Sequence, residues 1–278
     1  MTNIVSTTGH GSQFPLMLFG IDCISKHSNN IVDKVLIWNF DLNSKERNTI
    51  KKLQKNNDFY RDKVDIVRFP KECYFHYPSF FIPTQFAWLP ALFWFSRDFG
   101  DNIMWMGGSK PPITSLDKVF NVIERDGILF GSLSSGKVKL GDKMTNVSKK
   151  LLNTSKEDLV NPIVSTVTGV GYNKHSEYNN LVFKNAYESS KIKDIIQGPK
   201  AIHGRDQVVF SYWIGKTNYK IKNMLTNEPV DLNHDEIPVR TILDDDGKPI
   251  IKMLRFDRNK KNQLDIVKKY GIDKYRRF

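Results

Sequence analysis

Lys34-Val35-Leu36-Ile37-Trp38-Asn39-Phe40 is a near-continuous apolar run. A strand with one wet face alternates apolar and polar residues. A run apolar throughout belongs to a strand covered on both faces, as in a parallel sheet lying between helices. The residues after it agree. Asp41-Leu42-Asn43 ends the run, and Asn43 with Glu46 three residues on makes an N-cap pair for a helix whose inner face is Ile50 and Leu53. Upstream, residues 3–8 read as a first strand ending in the polar Thr7-Thr8-Gly9-His10-Gly11. Downstream come a third strand over 64–69, a Pro-interrupted helix over 83–96 and a fourth strand over 102–106. Gly107-Gly108-Ser109-Lys110-Pro111-Pro112 is a hard break, followed by a helix near 115–125 and a strand over 127–130. Strands alternating with helices predict an α/β chain with a mostly parallel, Rossmann-like sheet and right-handed crossovers. Ligands of such sheets bind beyond the carboxyl ends of the strands, where the strand order reverses, so residues 7–11, 41–43 and 107–110 are the loops to watch.

Composition bounds the classes. With 278 residues, 40% of them hydrophobic and 26% charged, the chain can bury a large core, which excludes disorder and low complexity. Cys23 and Cys73 make no disulfide framework, and no basic-then-apolar leader opens the chain, so a cytoplasmic location is expected. The apolar residues 80–95 contain Pro83, Gln85 and Pro90 and fall short of the ~20 residues a membrane span requires. The Gly-x-Gly-x-x-Gly fingerprint and the complete phosphate-loop pattern are both absent, which argues against a dinucleotide dehydrogenase and a P-loop NTPase. The net charge is +12, and residues 251–278, with 10 Lys/Arg against 3 Asp/Glu, hold +7 of it. Such a tail suits an anionic membrane, nucleic acid, an acidic partner or plain solubility.

The second part is less regular. Residues 163–168 are β-like and break at Gly169-Val170-Gly171-Tyr172, a helix is expected over 175–190, and His203-Gly204-Arg205-Asp206-Gln207 leads into apolar 208–214. Residues 237–243 and 249–254 flank Asp244-Asp245-Asp246-Gly247-Lys248 as a hairpin, and 259–270 read as a basic helix stopped by Gly271. The Asp-x-Asp at that hairpin tip sits well after the strand where a metal motif is expected and reads as a solvated turn. No Cys/His spacing suggests zinc.

Several landmarks fall in one order: Thr-Thr-Gly-His after the first strand, Phe40-Asp41-Leu42-Asn43 after the second, Val67-Arg68-Phe69-Pro70, Tyr77-Pro78 and Phe86-Ala87-Trp88-Leu89-Pro90. Then come the Ile103-Met104-Trp105-Met106 strand, the Val-Thr-Gly-Val-Gly-Tyr turn and His-Gly-Arg-Asp-Gln. Over roughly residues 4–214 the chain resembles a nucleotide-sugar-dependent glycosyltransferase of the GT-A type, in particular a subgroup whose last motif reads His-Arg-x-Asp-Gln. It departs from that family in two places. The fourth strand ends in Trp105-Met106-Gly107-Gly108-Ser109 with no Asp-x-Asp, and Ala87-Trp88-Leu89-Pro90 lacks the subgroup's lysine.

The resemblance implies a domain over 1–220 with a hairpin and basic tail, 221–278, packed on it. It also implies transfer of a sugar from a nucleotide-diphosphate donor to a hydroxyl of a glycan or lipid-linked acceptor. Asp206 is the expected base, with His203 beside it, and Arg205 or His203 the phosphate contact; the residues alone favour a helix N-terminus with an acid in its first turn, and it is the resemblance that turns the reading toward catalysis. Thr7, Thr8, His10 and Asp41 are expected around the donor, Asp41 reading equally as an Asx turn. Gly107, Gly108, Ser109 and Lys110 form an expected amide-and-lysine anion cradle replacing a metal, against a plain tight turn. Gly169, Gly171, Tyr172 and Gln207 are expected near the transferred sugar or acceptor. Tyr74, Phe75, His76, Tyr77, Phe80, Phe81, Trp88 and Trp94 offer a stacking platform or, for the most part, core. No cofactor is required by this reading, Mn²⁺ or Mg²⁺ remaining open. Two alternatives stand: a binding-only pseudoenzyme of the same fold, and a basic nucleic-acid-binding protein, disfavoured because the positive charge concentrates in the tail.

Overall fold

The computed structural model describes residues 1–254 apart from 10–12, 40–41, 83–85, 109, 133–135, 167, 198–204 and 233–234. In chain order the elements run β1 (Asn3–Thr8), α1 (Phe14–Ser28), β2 (Lys34–Trp38), α2 (Ser44–Asn56), α3 (Asp58–Lys63), β3 (Val64–Val67), α4 (Trp88–Ser96) and β4 (Asn102–Gly107). Then follow α5 (Asp117–Asp126), β5 (Ile128–Leu129), β6 (Gly131–Ser132), α6 (Asn146–Leu151), α7 (Lys156–Leu159), β7 (Val164–Ser165) and β8 (Gly171–Asn173). The last are α8 (Asn185–Ser190), α9 (Lys193–Ile196), α10 (Asp206–Gly215), β9 (Met224–Leu232), β10 (Asp235–Leu243) and β11 (Pro249–Leu254).

The main sheet has the order β3-β2-β1-β4-β8-β5. β3, β2, β1 and β4 are parallel; β8 runs antiparallel to both β4 and β5. The expected mostly parallel sheet is present, and the apolar run of β2 has the expected cause. Val35 and Ile37 enter one core with α1, α2 and α5, while Leu36 and Trp38 enter a second with α4, α8 and α10. Asn43 caps α2 as anticipated: its side chain accepts from the Glu46 amide at 3.0 Å, and the Glu46 carboxylate accepts from the Asn43 amide at 2.8 Å.

Three expectations need correction. Gly127 is the left-handed cap of α5 (φ +76°), so the next strand starts one residue later. Residues 175–190 begin not as an α-helix but with a π-helical turn, Asn179–Lys184, that passes into α8. β9 joins the hairpin as a third strand, β11-β10-β9. The hairpin turn is organised by Asp244, whose carboxylate accepts from the amides of Asp246 and Lys248, while Asp245 accepts from Lys222 Nζ at 2.8 Å. β11 is stitched to the stretch after β4: the Ile113 amide donates to the Lys252 carbonyl and the Leu254 amide to that of Pro111. Ile242, Ile251 and Met253 enter the first core. The expected basic helix at 259–270 and the start of the expected helix at 83–85 lie outside the described residues.

Candidate functional site

From β1 the chain steps outward to β2 and β3, then returns to place β4 on the other side of β1. The order therefore reverses between the carboxyl ends of β1 and β4, where Thr8 is the register partner of Gly107. The backbones are close here: a Cβ on Gly108 would lie 2.6 Å from the Thr8 carbonyl oxygen, so only glycine fits. The Thr7 hydroxyl donates to the Met106 carbonyl at 2.8 Å and that of Thr8 to the Trp38 carbonyl at 2.9 Å. Both thus staple strand ends together.

The turn after β4 is closed on itself. The Lys110 amide donates to the Gly107 carbonyl at 2.8 Å. The Thr168 hydroxyl accepts from the Gly107 amide at 3.0 Å and donates to the Lys110 carbonyl at 2.5 Å. An amide cradle needs free N–H groups ahead of a helix. Here the amides of Gly107 and Lys110 are spent, and the chain continues into Pro111 and Pro112 beside β11, well short of α5. The amides of Gly107 and Lys110 thus serve the turn itself, while Ser109 of the same expected cradle lies outside the described residues.

Asp206 opens α10 and is 4% exposed. Thr166 Oγ1 donates to its Oδ2 at 2.5 Å, and burial pushes the carboxyl up to about 7. Arg205, just before it, has φ +53°, a conformation that non-glycine residues seldom adopt. Its Nε is buried and makes no hydrogen bond among the described residues. Gln207 is half-buried, and its carbonyl accepts from the Ser211 hydroxyl, which in turn accepts from the Val164 amide at 2.8 Å. These bonds fix α10 to β7. Thr166 and Thr168 follow β7 directly and stand two residues apart, so their Cα atoms are at most ~7 Å from each other. One short segment thus holds Asp206 and the turn after β4. Sequence reading passed over both threonines because their partners lie 40 and 58 residues away; the only signal was two hydroxyls flanking Val167 ahead of a glycine.

Gly169, Gly171 and Tyr172, expected near the transferred sugar, take part in packing. A Cβ on Gly171 would lie 2.2 Å from the Ile103 carbonyl oxygen, so glycine lets β8 approach β4. Gly169 has φ +93° and faces Ile251. Tyr172 stacks on Phe183 with centroids 3.8 Å apart and donates to the Phe93 carbonyl at 2.7 Å, fully buried. Of the aromatic platform, Phe80, Trp88 and Trp94 are core, whereas Tyr74 and Phe75 are exposed. His10, Asp41, Ser109 and His203 lie outside the described residues. Among the described residues the end of β4 offers no carboxylate or imidazole, and no group of three His, Cys, Asp or Glu stands close enough to hold a metal ion.

No protein-family model and no curated protein sequence matches the chain. Solved structures do. The bifunctional glycosyltransferase WbbM superposes with a TM-score of 0.50 at 11% identity, over 76% of this chain and 37% of its own. The fold is of the GT-A type. Two further GT-A structures align more loosely. The galactosyltransferase LgtC, solved with donor and acceptor sugar analogues, gives a TM-score of 0.46 at 10% identity over 75% of this chain and 69% of its own. Mouse xyloside xylosyltransferase 1 gives 0.45 at 10% identity over 78% and 82%.

Proposed function

We propose that this chain transfers a glycosyl group from a nucleotide-diphosphate sugar to a hydroxyl of a glycan or lipid-linked acceptor. The observation that carries the reading is a buried carboxylate, Asp206, bonded by Thr166, two residues ahead of the Thr168 that clasps the turn at the reversal point of a GT-A sheet. Asp206 takes the acceptor hydroxyl's proton as that oxygen bonds to the anomeric carbon. The bond from that carbon to the diphosphate oxygen breaks, and its electron pair leaves with the nucleoside diphosphate. A carboxyl at about 7 is partly ionised at neutral pH and holds a proton well, which suits a general base. Arg205, with Nε unbonded among the described residues, meets the charge growing on the diphosphate, and His203 stands two residues away in the chain. No step runs through a metal. Residues 251–278 hold the protein at an anionic membrane surface at ~1 kcal/mol per basic residue, which suits a lipid-linked acceptor and a peripheral cytoplasmic location. Among the described residues no helix is long and apolar enough to cross a membrane.

The spent amides of Gly107 and Lys110 favour a second reading, a protein of the same fold that binds nucleotide or sugar without turnover. Thermal unfolding against UDP, GDP, CMP, dTDP and their common sugars, with Mn²⁺ and again with EDTA, tests both. Ligand at 100 times its dissociation constant adds ~2.7 kcal/mol, a shift of several degrees. A shift with one nucleotide, followed by diphosphate release that Asp206→Asn abolishes, supports transfer. A shift without release supports binding alone, and no shift with any nucleotide overturns both.

A further inference from the structure

We propose that Thr166 is a positioning residue for Asp206, orienting its carboxylate so that Oδ1 is the oxygen that receives the acceptor's proton. The inference rests on the glycosyl-transfer reading above. Thr166 Oγ1 donates to Oδ2 at 2.5 Å, and a hydroxyl has a single proton to give. While that proton lies on Oδ2, Oδ2 is an acceptor and the incoming proton has Oδ1 left to it. The acceptor O–H breaks, the Oδ1–H bond forms, and the acceptor oxygen's freed pair bonds to the anomeric carbon as the diphosphate departs. Neither partner is free to wander. Asp206 is fixed as the first residue of α10, which Ser211 ties to the Val164 amide, and Thr166 is held by β7 on one side and by the Thr168 clasp on the other. Base and reversal-point turn are therefore each bonded by one of two threonines, Thr166 and Thr168, that stand two residues apart, so a shift of Thr166 moves the proton acceptor relative to the donor's end of the sheet. Among the described residues the charged side chain acting on this carboxyl is Arg205, from the turn before α10; the amides of Asp206 and Gln207 also bear on it from the start of the helix, and Thr166 is the neutral group presented after β7.

The test compares wild type, Thr166→Val and Thr166→Ser in the full chain. The Asp206 carboxyl is titrated by ¹³C NMR, its signal assigned by its loss in Asp206→Asn, and donor turnover is measured against pH with the UDP-, GDP-, CMP- and dTDP-sugars. Thr166 stabilises the ionised carboxylate, so Thr166→Val should raise the Asp206 midpoint by about one pH unit, the size of one hydrogen bond. The acidic limb of kcat/KM should move up equally, kcat at neutral pH should fall at least tenfold with KM little changed, and Thr166→Ser should restore all three. A midpoint unmoved in a folded Thr166→Val, or one that Thr166→Ser fails to restore, overturns the assignment. If wild type turns over no donor, the transfer reading fails instead, while the titration still shows whether Thr166 governs this carboxyl.

Discussion

Replacing Asp206 by Asn should make the protein more stable at alkaline pH than at acid pH relative to wild type. Burial pushes the folded carboxyl up to about 7, against 3.8 for a free aspartate, and at 4% exposure solvent does little to soften the difference. Between these values the unfolded chain ionises at this residue while the folded chain stays protonated. The stability it contributes is therefore fully present below pH ~4 and is lost as pH rises through ~7. Three pH units at ~1.4 kcal/mol each give about 4 kcal/mol, or roughly 10 °C in Tm for a chain of this size. Asp206→Asn keeps an oxygen for the Thr166 hydroxyl and has no proton to lose in this range, so it should escape that loss. Urea unfolding of both proteins at pH 4.5, 6, 7.5 and 8.5 isolates the effect, because every other titration cancels in the difference. A difference flat across these pH values would refute the reasoning: the carboxyl would then sit in water or face a cation strong enough to offset its burial.

Other expectations follow from single contacts. Tyr172→Phe deletes the bond to the Phe93 carbonyl and should cost about 1 kcal/mol in urea unfolding while leaving donor KM unchanged; a raised KM would return Tyr172 to the sugar site. Gly171→Ala forces a methyl to 2.2 Å from the Ile103 oxygen and should cost upwards of ~3 kcal/mol, read as loss of soluble protein or a collapsed urea midpoint. Asn43→Ala removes the α2 cap and should cost about 1 kcal/mol. Removing residues 255–278, a cut that spares β11, should abolish sedimentation with phosphatidylglycerol vesicles while leaving soluble-donor turnover intact; unchanged sedimentation would count against the tail's role.

The parallel half of the sheet was legible because a strand buried on both faces writes an unbroken apolar run, as in β2, and because helix caps such as Asn43 and Glu46 act over three residues. β8 was not legible. It is three residues long, and its glycine carries no pattern; a residue that needs no side chain because a neighbouring strand is close looks the same in sequence as one that needs none because a ligand is close. β9 was missed because Thr226-Asn227-Glu228-Pro229 breaks any apolar alternation. In the site, Asp206 could be singled out as an acid opening a helix, but its burial and its bond to Thr166 are products of tertiary packing. Thr7 and Thr8 show the converse: polar residues at the right strand ends, with hydroxyls consumed by neighbouring carbonyls.

The stitching of β11 to residues 111–113 bears on how the protein is made. The stretch leaving the reversal point is paired with chain synthesised about 140 residues later. During translation the parallel strands β1 to β4 can assemble early, but the path from Gly107 to α5 gains these partners only after Pro249 to Leu254 have left the ribosome. The last strand thus acts as a checkpoint on completeness. A product that stalls or is clipped ahead of it keeps most of the sheet yet lacks the brace on the stretch that leaves the reversal point.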